Sequence, residues 1–303
     1  MAMRLVVLGT SCSNPTVERN LTAIALQFEG NWFLFDCPEG TQRQMMKTGV
    51  SYMRVHSIFL SHFHADHVLG LPGLIATMAM HERDTPLNVI GPKGTKKEIE
   101  KVMDLALMRK NFEIRVKEVG RGIALKGEKF QVDAVPLRHG VPCLGYVFKE
   151  KDKEAEFQRE KALKLGIPEG PLWSQLQNGK KVKVKGKEFS PEQVLDYSKG
   201  RKGKKVSVIM DTLPSDSYFD AIRESDVLVH EAAFLEKHIS RAKETKHSTA
   251  KQAAWVAEQT KAKKLVLVHI SPRYKKNSDV ENEARQEFGN VVVPKDLEEI
   301  AVD

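Results

Sequence analysis

Cysteine is scarce in this chain: three residues in 303, at Cys12, Cys37 and Cys143. An odd number at wide spacing argues against a disulfide framework. No two form a C-x-x-C pair, so a thiolate zinc site is not expected, and a cytoplasmic address is. Long apolar runs are also missing. No 18 consecutive apolar residues occur, which argues against a transmembrane helix and against a membrane partner. The start, Met1-Ala2-Met3-Arg4, leads directly into Leu5–Leu8. That apolar stretch is too short for a secretory core and reads as a first β-strand. No segment repeats at a fixed period.

What is present is ordinary in amount and uneven in placement. Hydrophobic residues make up 41% of the chain, enough for a sizeable core. The length suits two average domains or one larger α/β domain. The net charge is +8, and between Lys180 and Lys205 nine lysines and one arginine face three acids, so one segment holds nearly all the excess. Such a segment is a plausible polyanion contact. A solvated charged loop is the bland alternative.

Apolar runs and helical stretches alternate. Strands are expected at Arg4–Leu8, Thr22–Phe28, Trp32–Asp36, Ser57–Leu60, Leu87–Ile90, Phe130–Leu137, Gly145–Lys149, Val206–Met210, Val227–His230 and Leu265–His269. Helices are expected at Gly40–Lys47, Leu71–Met80, Lys96–Leu107, Ser215–Arg223, Ser248–Gln259 and Asp279–Phe288. Gly30-Asn31, between two apolar segments, signals a hairpin turn. Residues 150–205 break the rhythm: dense charge, then Gly166, Pro168, Gly170 and Pro171, then the basic run. This reads as an inserted arm without a core of its own, within a single domain spanning 1–303.

The chemistry is concentrated in His62-Phe63-His64-Ala65-Asp66-His67. His62 and His64 are two apart, so an extended backbone points both to one side. Asp66 and His67 follow in a turn, and Gly70-Leu71-Pro72 opens a helix. Imidazole and carboxylate packed this closely suit zinc or a similar divalent ion. His139, Asp211, His230-Glu231 and His269 each fall at the C-terminal end of an expected strand, the edge where open α/β sheets collect their sites. Together these residues can serve two metals, with Asp211 suited to bridge them, and paired metals about 3.5–4 Å apart clamp in-line phosphoryl chemistry.

The run HFHADH resembles the H-x-H-x-D-H signature of the metallo-β-lactamase superfamily. Its surroundings, Leu60 to Leu74, resemble the ribonuclease Z family, endonucleases that trim the 3′ trailer from precursor tRNA. Asn14-Pro15-Thr16-Val17-Glu18-Arg19-Asn20 resembles that family's P-x-K-x-R-N loop. His230-Glu231-Ala232-Ala233-Phe234 and Lys246-His247-Ser248-Thr249-Ala250 resemble its HEAT and HST motifs. Gly166-Ile167-Pro168-Glu169-Gly170-Pro171 resembles the glycine–proline segment of its tRNA-binding arm, and Asp211-Thr212 its bridging aspartate motif.

The resemblance implies a four-layer αβ/βα sandwich with metals at one edge. It implies one ion, most readily Zn2+, with Mn2+ or Fe2+ as alternatives, on His62, His64 and His139. A second would sit on Asp66, His67 and His269, with Asp211 shared. The implied chemistry is hydrolysis of one phosphodiester of precursor tRNA. Asp66 would orient or deprotonate the attacking water, and His247, oriented by Glu231, would act as general acid. Arg19, Asn20, Gly170, Pro171, Lys180, Lys181, Lys183 and Lys185 are the implied substrate contacts, and a homodimer the implied assembly. Three positions depart from the family pattern: Val17 for lysine, Ala65 for glycine, and Met210 for the glycine before Asp211. Two other readings share some of these features. A small-molecule metallohydrolase, a phosphodiesterase or lactonase, would use the metal site but not the arm. A non-catalytic RNA-binding protein would use the arm but not the metals. His230 admits a purely structural role, Arg19 and Asn20 admit one as loop closers, and His56, His81 and His238 fall outside the constellation.

Overall fold

Strands that are apolar at every position need a packed layer on both faces. In the first strand, Leu5 and Val7 face one way and Val6 and Leu8 the other. The same split divides Phe33 and Phe35 from Trp32 and Leu34. The computed structural model describes residues 3–105 and 111–302. It resolves into two compact units, Met1–Lys149 with Lys204–Asp303, and Glu150–Gly203.

The larger unit carries two seven-stranded sheets. One runs, in spatial order, Glu299–Ala301, Arg4–Gly9, Ala23–Phe28, Asn31–Phe35, Val55–Phe59, Leu87–Gly91 and Ile114–Glu118. The other runs Val291–Val292, Leu265–Val268, Val227–Glu231, Lys205–Ile209, Cys143–Glu150, Phe130–Leu137 and Gly122–Lys126. Their inner faces share one core, in which Phe33, Phe35 and Phe59 meet Tyr146, Phe148 and Val208. The outer face of the first sheet is covered by helices Thr41–Met46, Leu71–Met80 and Thr95–Leu105. That of the second is covered by Phe219–Ile222, Ala250–Gln259 and Asn277–Ala284. The result is the expected four-layer sandwich.

Within each sheet the strands nearest the site are parallel. Asn31–Phe35 pairs with Val55–Phe59 in that sense, and Lys205–Ile209, Val227–Glu231 and Leu265–Val268 follow one another likewise. Their C-terminal ends therefore emerge on one side, which is what gathers residues distant in sequence.

Several expectations are corrected. The hairpin turn is Glu29-Gly30, both with positive φ (50° and 79°), a two-residue turn matched to strand twist; Asn31 already belongs to the next strand. The helix expected at Lys96–Leu107 is described to Leu105, and its last two positions lie outside the described residues. The edge strands Ile114–Glu118 and Gly122–Lys126, and the helix Ile239–Thr245, had no expectation.

The smaller unit overturns the reading of an arm without a core. Ala162, Ile167, Trp173, Leu176, Val182, Phe189 and Val194 are buried together, and the Trp173 indole N–H donates to the Ile167 carbonyl at 3.2 Å. Helices Arg159–Lys164 and Pro171–Gln177 and the hairpin Val182–Val184/Lys187–Phe189 supply them. The apolar residues are spread over more than thirty positions among polar and charged ones, with no long apolar run to signal a core. The unit ends at Gly203; Lys204 and Lys205 belong to the sheet-bearing unit.

Candidate metal centre

The strand Val55–Phe59 ends before Ser61, and His64 stays extended (φ −65°, ψ 149°) as the cap of a one-turn helix, Ala65–Val68. The expected turn after His64 is thus a single helical turn carrying Asp66 and His67. The rings of His62 and His64 meet, Nε2 to Nδ1 at 2.8 Å. His139 Nε2 lies 3.4 Å from His64 Nδ1. Asp211 Oδ2 lies 3.6 Å from His62 Nε2 and 3.7 Å from His139 Nε2. On its other side Asp211 Oδ1 lies 3.5 Å from His67 Nε2 and 3.3 Å from His269 Nδ1. Asp66 Oδ2 completes that second group, 3.7 Å from His67 Nε2 and 3.5 Å from His269 Nε2. Asp211 therefore gives one oxygen to each group.

These separations fit a cation. Donors 2.0–2.1 Å from a tetrahedral zinc stand about 3.3–3.4 Å from one another. Among the described residues, four buried side-chain atoms have no hydrogen-bond partner: His67 Nε2, Asp211 Oδ1, and both ring nitrogens of His269. Buried polar atoms are normally satisfied; here His67 Nε2 and His269 Nδ1 face Asp211 Oδ1, and His269 Nε2 faces Asp66. By donor chemistry and by this deficit the cluster fits a metal site.

The electrostatics point the same way. Burial, then the neighbouring His67, push His62 down to about 2, so its ring is neutral and free to ligate. Burial opposes charge on His67, but Asp211 and Asp36 outweigh it and raise the ring to about 10. His269 is raised against burial by Asp211. Burial drives the Cys37 thiol up to about 12 and Cys143 well above its ordinary value, which disfavours these two as ligands.

A second layer fixes the rings. Asp36 accepts from Ser61 N–H at 2.7 Å and from Ser61 Oγ at 2.8 Å, and lies 2.7 Å from His67 Nδ1. Ser61 Oγ lies 2.9 Å from His62 Nδ1. Such partners set tautomer and orientation. His139 Nδ1 faces the Lys246 carbonyl at 3.1 Å. Asp36, Lys246 and His269 all have φ near +59°, a costly region for residues with a Cβ and one that gathers at functional sites. Neither Asp36 nor Ser61 was singled out from sequence.

Beside the cluster, His247 Nδ1 lies 3.0 Å from Glu231 Oε1 and 3.9 Å from Asp211 Oδ2. Glu231 is fully buried and accepts backbone N–H groups from Thr212, Ala233 and Ser248. Burial opposes charge on His247, but Glu231 and Asp211 lift it to about 9. His247 is held there by the αL cap Lys246 behind it and by Thr249 ahead, whose capping box with Gln252 starts the next helix.

Comparison with known proteins settles the family. A family model described as Anti-Pycsar protein Apyc1 matches residues 3–139. A ribonuclease Z of Methanosarcina mazei is 41% identical over 301 residues, covering 99% of this chain and 98% of that protein. The ribonuclease Z of Nitrosopumilus maritimus is 40% identical over 303 residues, covering 99% and 100%. The chain belongs to the ribonuclease Z family. Among solved structures, human tRNase Z, short form, is 26% identical with a TM-score of 0.72 and covers 99% of each chain. The Bacillus subtilis metallo-β-lactamase fold protein YhfI, at 16% identity and a TM-score of 0.71 over 98% of each chain, shares the fold.

The remaining ribonuclease Z-like positions fall as follows. Arg19 and Asn20 are half-buried and engaged internally: Arg19 Nη2 donates to Asn277 Oδ1 at 2.6 Å, and Asn20 Nδ2 to the Glu39 carbonyl at 3.0 Å. Val17 is 99% exposed at the tip of that loop. Gly170 (φ 141°) and Pro171 are exposed and start the helix Pro171–Gln177. Lys180, Lys181, Lys183 and Lys185 are all exposed on and around the hairpin of the smaller unit. His230 is buried, with Nδ1 at the Glu231 carbonyl and Nε2 3.3 Å from Tyr218 OH; its surroundings are structural. His56, His81 and His238 bond to Ser57, Thr77 and Tyr274, outside the cluster.

Proposed function

We propose that this chain is a metal-dependent endoribonuclease that cuts the 3′ trailer from precursor tRNA, leaving a 3′-hydroxyl on the tRNA and a 5′-phosphate on the trailer. The observation that carries the proposal is Asp211, whose two oxygens face two donor groups beside His247 and the buried Glu231, in a chain of this family. Two divalent ions, zinc by donor type, would be held by His62, His64, His139 and Asp211 and by Asp66, His67, His269 and Asp211. When bound they supply Lewis acidity at the phosphoryl oxygens and a water of pKa about 7.

The chain's own groups do the rest. Asp66 is partly exposed and orients that water or takes its proton. Glu231 and Asp211 raise His247 and Glu231 holds its Nδ1, leaving Nε2 to protonate the departing ribose 3′-oxygen. Glu231 is a positioning residue, clamped by three backbone N–H groups. The exposed lysines of the smaller unit, Lys180, Lys181, Lys183 and Lys185, read tRNA as a string of phosphates. Gly170 and Pro171 shape the same unit, and Arg19 and Asn20 shape the loop beside Asp66. The active form is a cytoplasmic homodimer in which one protomer's smaller unit serves tRNA bound by the other. Among the described residues no helix is long and apolar enough to cross a membrane.

A small-molecule hydrolase on this fold shares the metal donors. The family-model match ends at residue 139, before Asp211, Glu231, His247, His269 and the basic unit, so it covers only what both readings have in common. The separating experiment removes residues 151–203 and compares two substrates. Cleavage of precursor tRNA is expected to collapse while hydrolysis of a small chromogenic phosphodiester persists. Mixing that chain with Asp211→Ala is expected to restore part of the cleavage through mixed dimers. Undiminished tRNA cleavage by the deleted chain alone would reject the role of the smaller unit.

A further inference from the structure

Asp296 lies outside every motif discussed above, 27 positions past His269 near the chain's C-terminal end, yet it reaches into the loop beside the metal centre. Its Oδ2 accepts the Asn20 backbone N–H at 2.6 Å and the Gln44 side-chain amide at 3.1 Å. Its Oδ1 accepts the Thr10 hydroxyl at 2.8 Å. Thr10 and Asn20 are the two feet of the loop, joined by the Thr10 and Ser11 N–H groups donating to the Asn20 carbonyl. One carboxylate thus pins both feet and ties them to the helix Thr41–Met46.

The loop is anchored to the centre on its other side. Ser13 N–H donates to Asp66 Oδ2 at 2.9 Å, and Cys12 N–H to the carbonyl of Ile270, the residue after His269. Between these anchors the tip is open, with Asn14, Pro15, Val17 and Glu18 exposed. Arg19, next to Asn20, is drawn down onto Asn277, whose own amide bonds the Val293 and Pro294 carbonyls just before Asp296. The C-terminal segment therefore grips the loop twice. Charge on a half-buried carboxyl is costly, and burial raises Asp296 above its ordinary range. The site bears that cost while making three hydrogen bonds, all to the loop's feet and their support.

We infer that Asp296 is a positioning residue that sets the height of the Ser13–Asn20 loop over the metal centre, and so how the chain at the scissile phosphate is seated. This rests on the tRNA-cleavage reading. A small phosphodiester needs only the metals and His247. A tRNA end must also pass the loop, so Asp296 matters for the large substrate alone.

The test compares wild type, Asp296→Ala, Asp296→Asn, Arg19→Ala and the double variant Asp296→Ala/Arg19→Ala, all metal-loaded. Each is assayed on precursor tRNA and on a small chromogenic phosphodiester. Asp296→Ala is expected to raise KM for precursor tRNA about tenfold or more, since hydrogen bonds to a charged group are lost at three points. Its metal content and its turnover of the small substrate should stay within about twofold of wild type. Asp296→Asn should recover most of the loss, because an amide oxygen can serve Asn20 and Gln44 while its NH2 donates to Thr10 Oγ1. The alanine effects at 19 and 296 should not add, since both act through one loop. Unchanged KM in Asp296→Ala, additive effects, or equal losses on both substrates would each overturn the inference. Should Asp296→Ala fail to fold, Gln44→Met, which removes one of the three bonds, is judged by the same criteria. Failure of wild type itself to cut precursor tRNA would instead reject the underlying reading.

Discussion

Removing the metals should destabilise the fold by an amount the site itself sets. His67 Nε2, Asp211 Oδ1 and the two nitrogens of His269 are buried without partners when no cation is present. Leaving a buried polar atom unsatisfied costs about 1–3 kcal/mol. Taking the low end for each, the deficit is about 4 kcal/mol. The sheet-bearing unit has roughly 250 residues, and at about 2.1 cal/mol/K per residue its melting entropy is about 0.5 kcal/mol/K. Chelation should therefore lower Tm by about 8 °C, and added zinc should restore it. Differential scanning calorimetry on dialysed and reloaded protein, with metal content measured in parallel, reads this directly. Asp211→Ala, which lacks the carboxylate common to both donor groups, should hold less metal, lose activity and show little response to chelator. A Tm unchanged within about 1 °C after the metals are shown to be gone would refute the argument from unsatisfied atoms.

Other outcomes follow from the same geometry. His247→Ala should keep both metals but lose about 10²–10⁴ in rate; a matching loss of metal would make His247 a ligand. Metal uptake at pH 7 should release protons, because His67 is raised to about 10 in the metal-free protein and must lose its proton to ligate. Apparent affinity should accordingly tighten as pH rises toward that value, which calorimetry in buffers of different ionisation enthalpy can measure; absence of proton release would contradict it. Replacing Lys180, Lys181, Lys183 and Lys185 with alanine should raise KM for precursor tRNA and flatten its salt dependence. Hydrolysis of a small phosphodiester should barely change, and an unaltered salt slope would move the search to other lysines of the smaller unit.

Much of the site was legible because its donors obey local rules. Three histidines and an aspartate within six residues suit a metal, and Asp211 and His269 each follow an apolar strand whose parallel neighbour puts its end on one side, while His139 follows a strand paired antiparallel. Their division into two groups came from the family resemblance and not from spacing, since it depends on how Asp211 turns its two oxygens. Asp36 escaped notice because an aspartate ending a strand is commonplace; only the fold brings it 2.7 Å from His67 Nδ1. Asp296 is hidden for the same reason, its partners lying 252 to 286 positions away. The edge strands Ile114–Glu118 and Gly122–Lys126 are half exposed, so their polar positions dilute the apolar signal. In the smaller unit, seven buried residues are spread from Ala162 to Val194 among polar and charged neighbours, and the core exists only once the helices and hairpin close on Trp173.

The central claim is that this centre cuts tRNA at its 3′ side and leaves defined ends. The most direct measurement incubates metal-loaded protein with a trailer-bearing precursor tRNA and maps both products. The account predicts one cut at the junction of tRNA and trailer, a 3′-hydroxyl on the tRNA and a 5′-phosphate on the trailer, all lost in Asp211→Ala. No cut by a protein that turns over a small phosphodiester, or products carrying a 3′-phosphate, would contradict it.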